Sequence, residues 1–249
     1  IRLLREAFDR SGGNAAVAAL LVEVLSQTGD RQGVDDLLTI MADGAGDHPE
    51  AVKNVAALAL SVDRHRRALA LVERQVPSGS AAPLLQIVRA EALLELGRTD
   101  EARKLLGANL SGAHGVMAAT RMARLHQRRG DDGAASEVLR RALRQHGHSN
   151  DLVLALARSL QHEGKHDDAV HVVRQALLGH PDSRRLRFGL AGVLERAGRW
   201  RAAIKTVRAI TAKHPKYAPG HNFIGYTLLE QGKRLDEAER LIRRALYLQ

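Results

Sequence analysis

The chain has 249 residues and 45% hydrophobic content, yet only three Phe, three Tyr and one Trp, so Ala, Leu and Val carry the apolar fraction. That mixture argues against a core built on large rings and favours thin, closely packed helices. With no Cys, disulfides and thiol chemistry are excluded; the net charge of +10 admits nucleic acid, anionic lipid or an acidic protein as partners without choosing among them.

In chain order, Ile1-Arg2-Leu3-Leu4 reads as the inside of a helix, neither an initiator Met nor a signal peptide, with Ala7 in a small slot and Asn14 closing a fragment at 1–14. Ala15 to Val22 is the longest apolar run. Its eight residues fall far short of the roughly 18 to 20 that span a bilayer, so the expectation is a soluble chain. From there a fixed period takes over. Gly97, Gly130, Gly164, Gly198 and Gly232 are separated by 33, 34, 34 and 34 residues, and Gly29 and Asp63 extend the comb towards the N-terminus. Five or six residues after the five glycines come Ala102, Ala135, Ala169, Ala203 and Ala238. The register divides the chain into 1–14, six units at 15–48, 49–82, 83–115, 116–149, 150–183 and 184–217, and a truncated unit at 218–249.

One unit shows the physics. In 184–217, Leu186, Leu190, Val193 and Leu194 recur at helical spacing up to Gly198, where a left-handed residue ends the first helix. Trp200, Ala203, Ile204, Val207 and Ile210 make a second helix that stops before Pro215. Two helices of about 13 residues cannot cover each other's apolar stripes, so each pair must stack on the next. Ala157, Ala191 and Gly225, with Ala169 and Ala176, leave room for close approach. No strand is predicted.

The period, the two-helix unit and the small slots resemble the tetratricopeptide repeat family across essentially the whole chain. The match is fullest in Asn222-Phe223-Ile224-Gly225-Tyr226, Gly232, Leu235-Asp236-Glu237-Ala238-Glu239 and Arg244-Ala245-Leu246, which looks like a repeat common in bacterial proteins. Elsewhere the family's bulky aromatic slots hold Arg187, Val153 or Ala119; Trp200 and Tyr226 keep the pattern. The resemblance implies an all-α, right-handed α-solenoid of about fifteen helices over 1–249, working as a non-enzymatic scaffold in a larger bacterial assembly. It leaves open a cytoplasmic, periplasmic or outer-membrane-associated setting.

By the family's register, first helices line a concave groove for an extended peptide or a partner's helix. Its positions include Leu84, Ile87 and Glu91 early on. Further along come Arg124, Gln127, Arg158, His162, Arg185, Phe188, Arg196, Asn222 and Tyr226, which are the candidate partner-binding residues. No Lys/Asn clamp of the kind that holds a chaperone tail falls in these slots. Arg124 and Arg158 occupy equivalent places one repeat apart, and guanidinium pairs bidentately with carboxylate or phosphate, so an acidic segment of a partner protein is the expected ligand. Charge is uneven, with −5 for 15–48 and +9 for 184–217. The alternative is therefore an accessory module that uses the basic 184–217 repeat on nucleic acid or an anionic membrane surface. Scarce aromatic platforms count against nucleic acid, and scarce apolar surface beside Arg184-Arg185-Leu186-Arg187 counts against insertion.

Catalysis finds no footing. His146/His148 and His162/His166 fall at predicted turns with no HExxH and no Cys, so no metal or cofactor is expected. Ser136, Ser159 and Ser183 lack a nucleophile-elbow setting. The pairs Asp35/Asp36, Asp131/Asp132 and Asp167/Asp168 read as first-turn residues complementing helix dipoles. Both ends lack a polar cap, which points to a segment of a longer array, or otherwise to ends covered by a partner or a second copy.

Overall fold

Between the two helices of most pairs a single residue turns the backbone left-handed, and in the last pair both Gly232 and Arg234 do so. Gly97, Gly130, Gly164 and Gly198 take φ of 77°, 76°, 75° and 73°. An L side chain there costs about 1–2 kcal/mol, and glycine avoids that cost. Asp63 performs the same turn without being glycine, at φ 58°. Beyond several of these turns the next helix starts under a short polar side chain or an acidic first turn: Asp30 accepts from the Gly33 amide at 2.9 Å, and Asp131 from the Ala134 amide at 3.1 Å, whereas the helix that opens at Trp200 has neither.

The computed structural model describes residues 1–12, 14–46, 48–75, 82–147 and 149–248. His148, one of the turn histidines, lies outside them. Among the described residues there are fifteen helices and no strand: α1 Arg2–Arg10, α2 Ala15–Gln27, α3 Arg31–Ala45, α4 Pro49–Ser61, α5 His65–Gln75, α6 Pro83–Glu95, α7 Thr99–Ala108, α8 Gly115–Arg128, α9 Asp132–His146, α10 Asn150–His162, α11 His166–Gly179, α12 Arg184–Arg196, α13 Trp200–Lys213, α14 Ala218–Glu230 and α15 Leu235–Tyr247. The fold is an all-α helical-repeat solenoid. The helices group into two compact units, Ile1–Arg121 and Met122–Gln249, and the divide falls within α8. No helix of the described residues is long and apolar enough to cross a membrane.

In the first unit the core is aliphatic, with Leu21, Leu25, Leu38, Leu85, Leu93 and Leu106 all fully buried. Leu84 and Ile87, expected on a groove, are instead buried in this core, and Glu91 is tied to Arg121 at 3.1 Å. Asp35 and Asp36 also differ from expectation. They sit one turn into α3, where Asp35 receives Arg64 Nε at 3.0 Å and Asp36 accepts from Gln32 at 2.8 Å; the capping carboxylate is Asp30.

In the second unit, Ala157, Ala191, Ala169 and Ala176 are buried at the crossings, as small residues must be for helices to approach closely. Gly225 is the tightest of these points. A Cβ on it would lie 2.7 Å from Ile242 Cγ1 and 2.9 Å from the Ala238 carbonyl oxygen, so α14 seats on α15 only because this side chain is absent.

Candidate functional site

The first helices of the second unit carry the cations that the sequence singles out. Arg124 projects from α8, Arg158 from α10, and Arg185 and Arg196 from α12, and all four are exposed. They are near enough to act on one another. Partial burial pushes the Arg158 guanidinium below its ordinary value, and the positive charges of Arg196, Arg124 and Arg185 add to that push, with Asp151 opposing. Arg158 is therefore the centre of a like-charge cluster spread over three helices.

Neighbours hold part of that cluster in place. Arg185 Nη2 donates to Asp151 Oδ1. Arg196 Nη1 reaches Gln161 Oε1 at 3.4 Å, and the Gln161 amide donates to the Val193 carbonyl at 3.1 Å, which fixes its oxygen towards the arginine. Arg158 has neither a side-chain hydrogen bond nor an ion pair among the described residues. Three guanidiniums and one carboxylate, Asp151, act on Arg158 in a partly dehydrated place, the setting in which a carboxylate or phosphate oxygen is bound most strongly.

The remaining predicted residues lie around the cluster or beyond it. Gln127 and His162 stand near the C-terminal ends of α8 and α10. Gly192 occupies the place on α12 that Arg158 holds on α10. An added Cβ there would meet nothing within 4 Å, so α12 has open space where its neighbours carry long side chains. Tyr226, in the equivalent place on α14, is 50% exposed, and Asn222, one turn earlier, is half-buried. Phe188 is only half available: it packs edge-on against Tyr217 and against Phe223, both at 5.6 Å between ring centres.

The sequence reading missed the partners in that aromatic set. Tyr217 lies just before α14 and carries the Arg184 guanidinium 4.8 Å above its ring. Phe223 is one position off the 34-residue register of Phe188, so periodicity alone pairs Phe188 with Asn222. The serines also have a structural occupation. The Ser136 and Ser159 hydroxyls lie 3.2 Å apart, Ser136 donates to Glu163, and Ser183 accepts from the Leu186 amide at 3.2 Å as the cap of α12. Among the described residues no three His, Asp or Glu converge as metal ligands would.

Residues 154–218 and 194–249 match the family model described as Tetratricopeptide repeat. No curated protein matches the chain. A tetratricopeptide repeat protein from Parabacteroides merdae ATCC 43184 superposes with a TM-score of 0.60 at 15% identity, over 94% of this chain and 93% of its own. A thermophilic TPR protein of Thermus thermophilus gives 0.56 at 20% identity, over 72% and 98%. The APC/C hetero-tetramer Cut9-Hcn1 gives 0.54 at 16% identity, over 99% of this chain, which spans 49% of that one. These likenesses carry the fold.

Proposed function

We propose, for a chain that belongs to the tetratricopeptide repeat family through residues 154–249 and repeats the same helix pair before them, that it is a non-enzymatic scaffold holding a partner protein on the first helices of Met122–Gln249. The family's members act in general as binding scaffolds. The observation that carries the reading here is the guanidinium cluster of Arg124, Arg158, Arg185 and Arg196, in which Arg158 makes no ion pair among the described residues.

The ligand that fits is an acidic, extended segment. Its carboxylates would take Arg158 and Arg124. An adjoining bulky side chain would enter the space left by Gly192 beside Tyr226, with Phe188, Asn222, Gln127 and His162 bordering the path. Pre-tethering of Arg185 by Asp151 and of Arg196 by Gln161 lowers the ordering cost of binding, because those side chains are already held.

The test is the double variant Arg124→Glu with Arg158→Glu, used beside the wild type to capture partners. The protein retained by the wild type should be lost by the variant, with binding weakened by roughly tenfold or more and an unchanged melting temperature. Equal retention by both would remove these residues from the binding site.

A further inference from the structure

The second helices of the same unit present a different charged surface. Arg140, Arg174, Arg208 and Arg243 are each the ninth residue of their helices, α9, α11, α13 and α15, and so form one row across four successive pairs. The last three are exposed and Arg140 is half-exposed. On α13 the row widens to a stripe, since Arg201, Lys205 and Arg208 share one helical face. Among the described residues Arg174 and Lys205 have no side-chain hydrogen bond or acidic partner, while Arg208 is held by Glu237 at 2.7 Å and Arg243 by Glu239 at 2.7 Å. Two acids of this surface are themselves engaged, Glu137 by Arg144 at 3.2 Å and Asp167 by Arg199.

Apolar groups stand beside the cations. Leu178, one turn beyond Arg174 on the same face of α11, is 76% exposed, a large aliphatic side chain with nothing of the unit to cover it. In the equivalent place on α15, one turn beyond Arg243, Tyr247 is exposed too. Trp200 opens α13 with the Arg201 guanidinium 4.3 Å above its ring.

From this juxtaposition we infer that the second-helix surface of Met122–Gln249 is a peripheral contact for a bilayer rich in anionic lipid. Charge complementarity supports it, since these residues contain 24 Lys and Arg against 13 Asp and Glu. Lipid is favoured over a nucleic-acid strand for two physical reasons. The Trp200 ring already carries a cation on its face, so it is no open platform for a base. Second, a large aliphatic side chain stands exposed among the cations. Leu178 then has a use, entering the boundary between headgroup and acyl chain, where it would have none against a phosphate backbone.

The experiment is cosedimentation of the 249-residue chain with vesicles of phosphatidylcholine alone and of phosphatidylcholine with phosphatidylglycerol. Binding is expected only to the second kind. Arg174→Glu with Lys205→Glu should raise the lipid concentration for half-binding by roughly tenfold or more, since each cation near an anionic leaflet contributes about a factor of five. Leu178→Ser should raise it by a smaller, salt-independent factor. The groove variant Arg124→Glu with Arg158→Glu should leave it unchanged, which keeps failure of this surface apart from failure of the groove. Circular dichroism verifies folding, and Arg174→Gln with Lys205→Gln replaces the glutamate pair if that pair melts early. Equal binding to both vesicles would overturn the inference, as would an unchanged double variant. So would tighter binding to a single-stranded RNA that is lost in the double variant and kept in Leu178→Ser.

Discussion

Single residues decide how closely the helix pairs approach and how they turn. Gly225→Ala pushes a methyl group against the Ala238 carbonyl oxygen, a backbone atom that cannot swing aside. We expect it to lower stability by about 1–3 kcal/mol in a denaturant titration. Asp63 gives the opposite case, because it holds φ 58° where the equivalent turns use glycine. Asp63→Gly is expected to raise stability by about 1 kcal/mol, read as a higher denaturation midpoint. The glycine comb and the small slots were legible in the sequence because each follows from local backbone or steric demand at a fixed period. The tethers of Arg185 to Asp151 and of Arg196 to Gln161 were not, since long side chains at equivalent positions choose partners only once the helices are placed. Register brought Arg124 and Arg158 to neighbouring helices; it could not say that Phe188 would meet Phe223, one position out of phase.

At the level of elements, α9, α10 and the turn after α10 are joined by a polar knot. Ser136 and Ser159 are buried, and Glu163 takes hydrogen bonds from Ser136 and from Lys165, the latter at 2.6 Å. Burial by itself would raise the Glu163 carboxyl, but the Lys165 and Ser136 hydrogen bonds outweigh it and leave the group below the usual glutamate value. A carboxyl depressed in the folded state stabilises the fold fully above its unfolded value, about 4.3, and the contribution fades as pH falls through the folded value. Glu163→Gln should therefore melt earlier than wild type near neutral pH. The gap between the two should shrink as melts are taken below about pH 4. A gap that stays constant with pH would mean that packing, not charge, ties this turn. The sequence showed Ser136, Ser159 and Glu163 separately; their meeting depends on the crossing of α9 with α10.

For the molecule as a whole, charge and architecture divide unevenly. Met122–Gln249 carries 24 basic and 13 acidic residues, and Ile1–Arg121 carries 14 and 15, so the entire positive excess belongs to one compact unit. In a helical-repeat chain stability is close to a sum of pair and neighbour terms, and a run of complete pairs folds alone. A fragment of residues 115–249, which starts with the whole of α8, is expected to melt cooperatively with helical circular dichroism per residue close to that of the full chain. Non-cooperative melting would show that the first pairs are needed to fold the rest.

The left-handed glycines have one more outcome. Gly130, Gly164 and Gly198 hold the same phase of their pairs at nearly identical angles. Excising the residues from one such hinge to the next would splice an incoming helix to an outgoing one through an unchanged bend. Loss or duplication at that phase alters the number of modules while leaving every joint as it was, so such a chain can lengthen or shorten only in whole-module quanta.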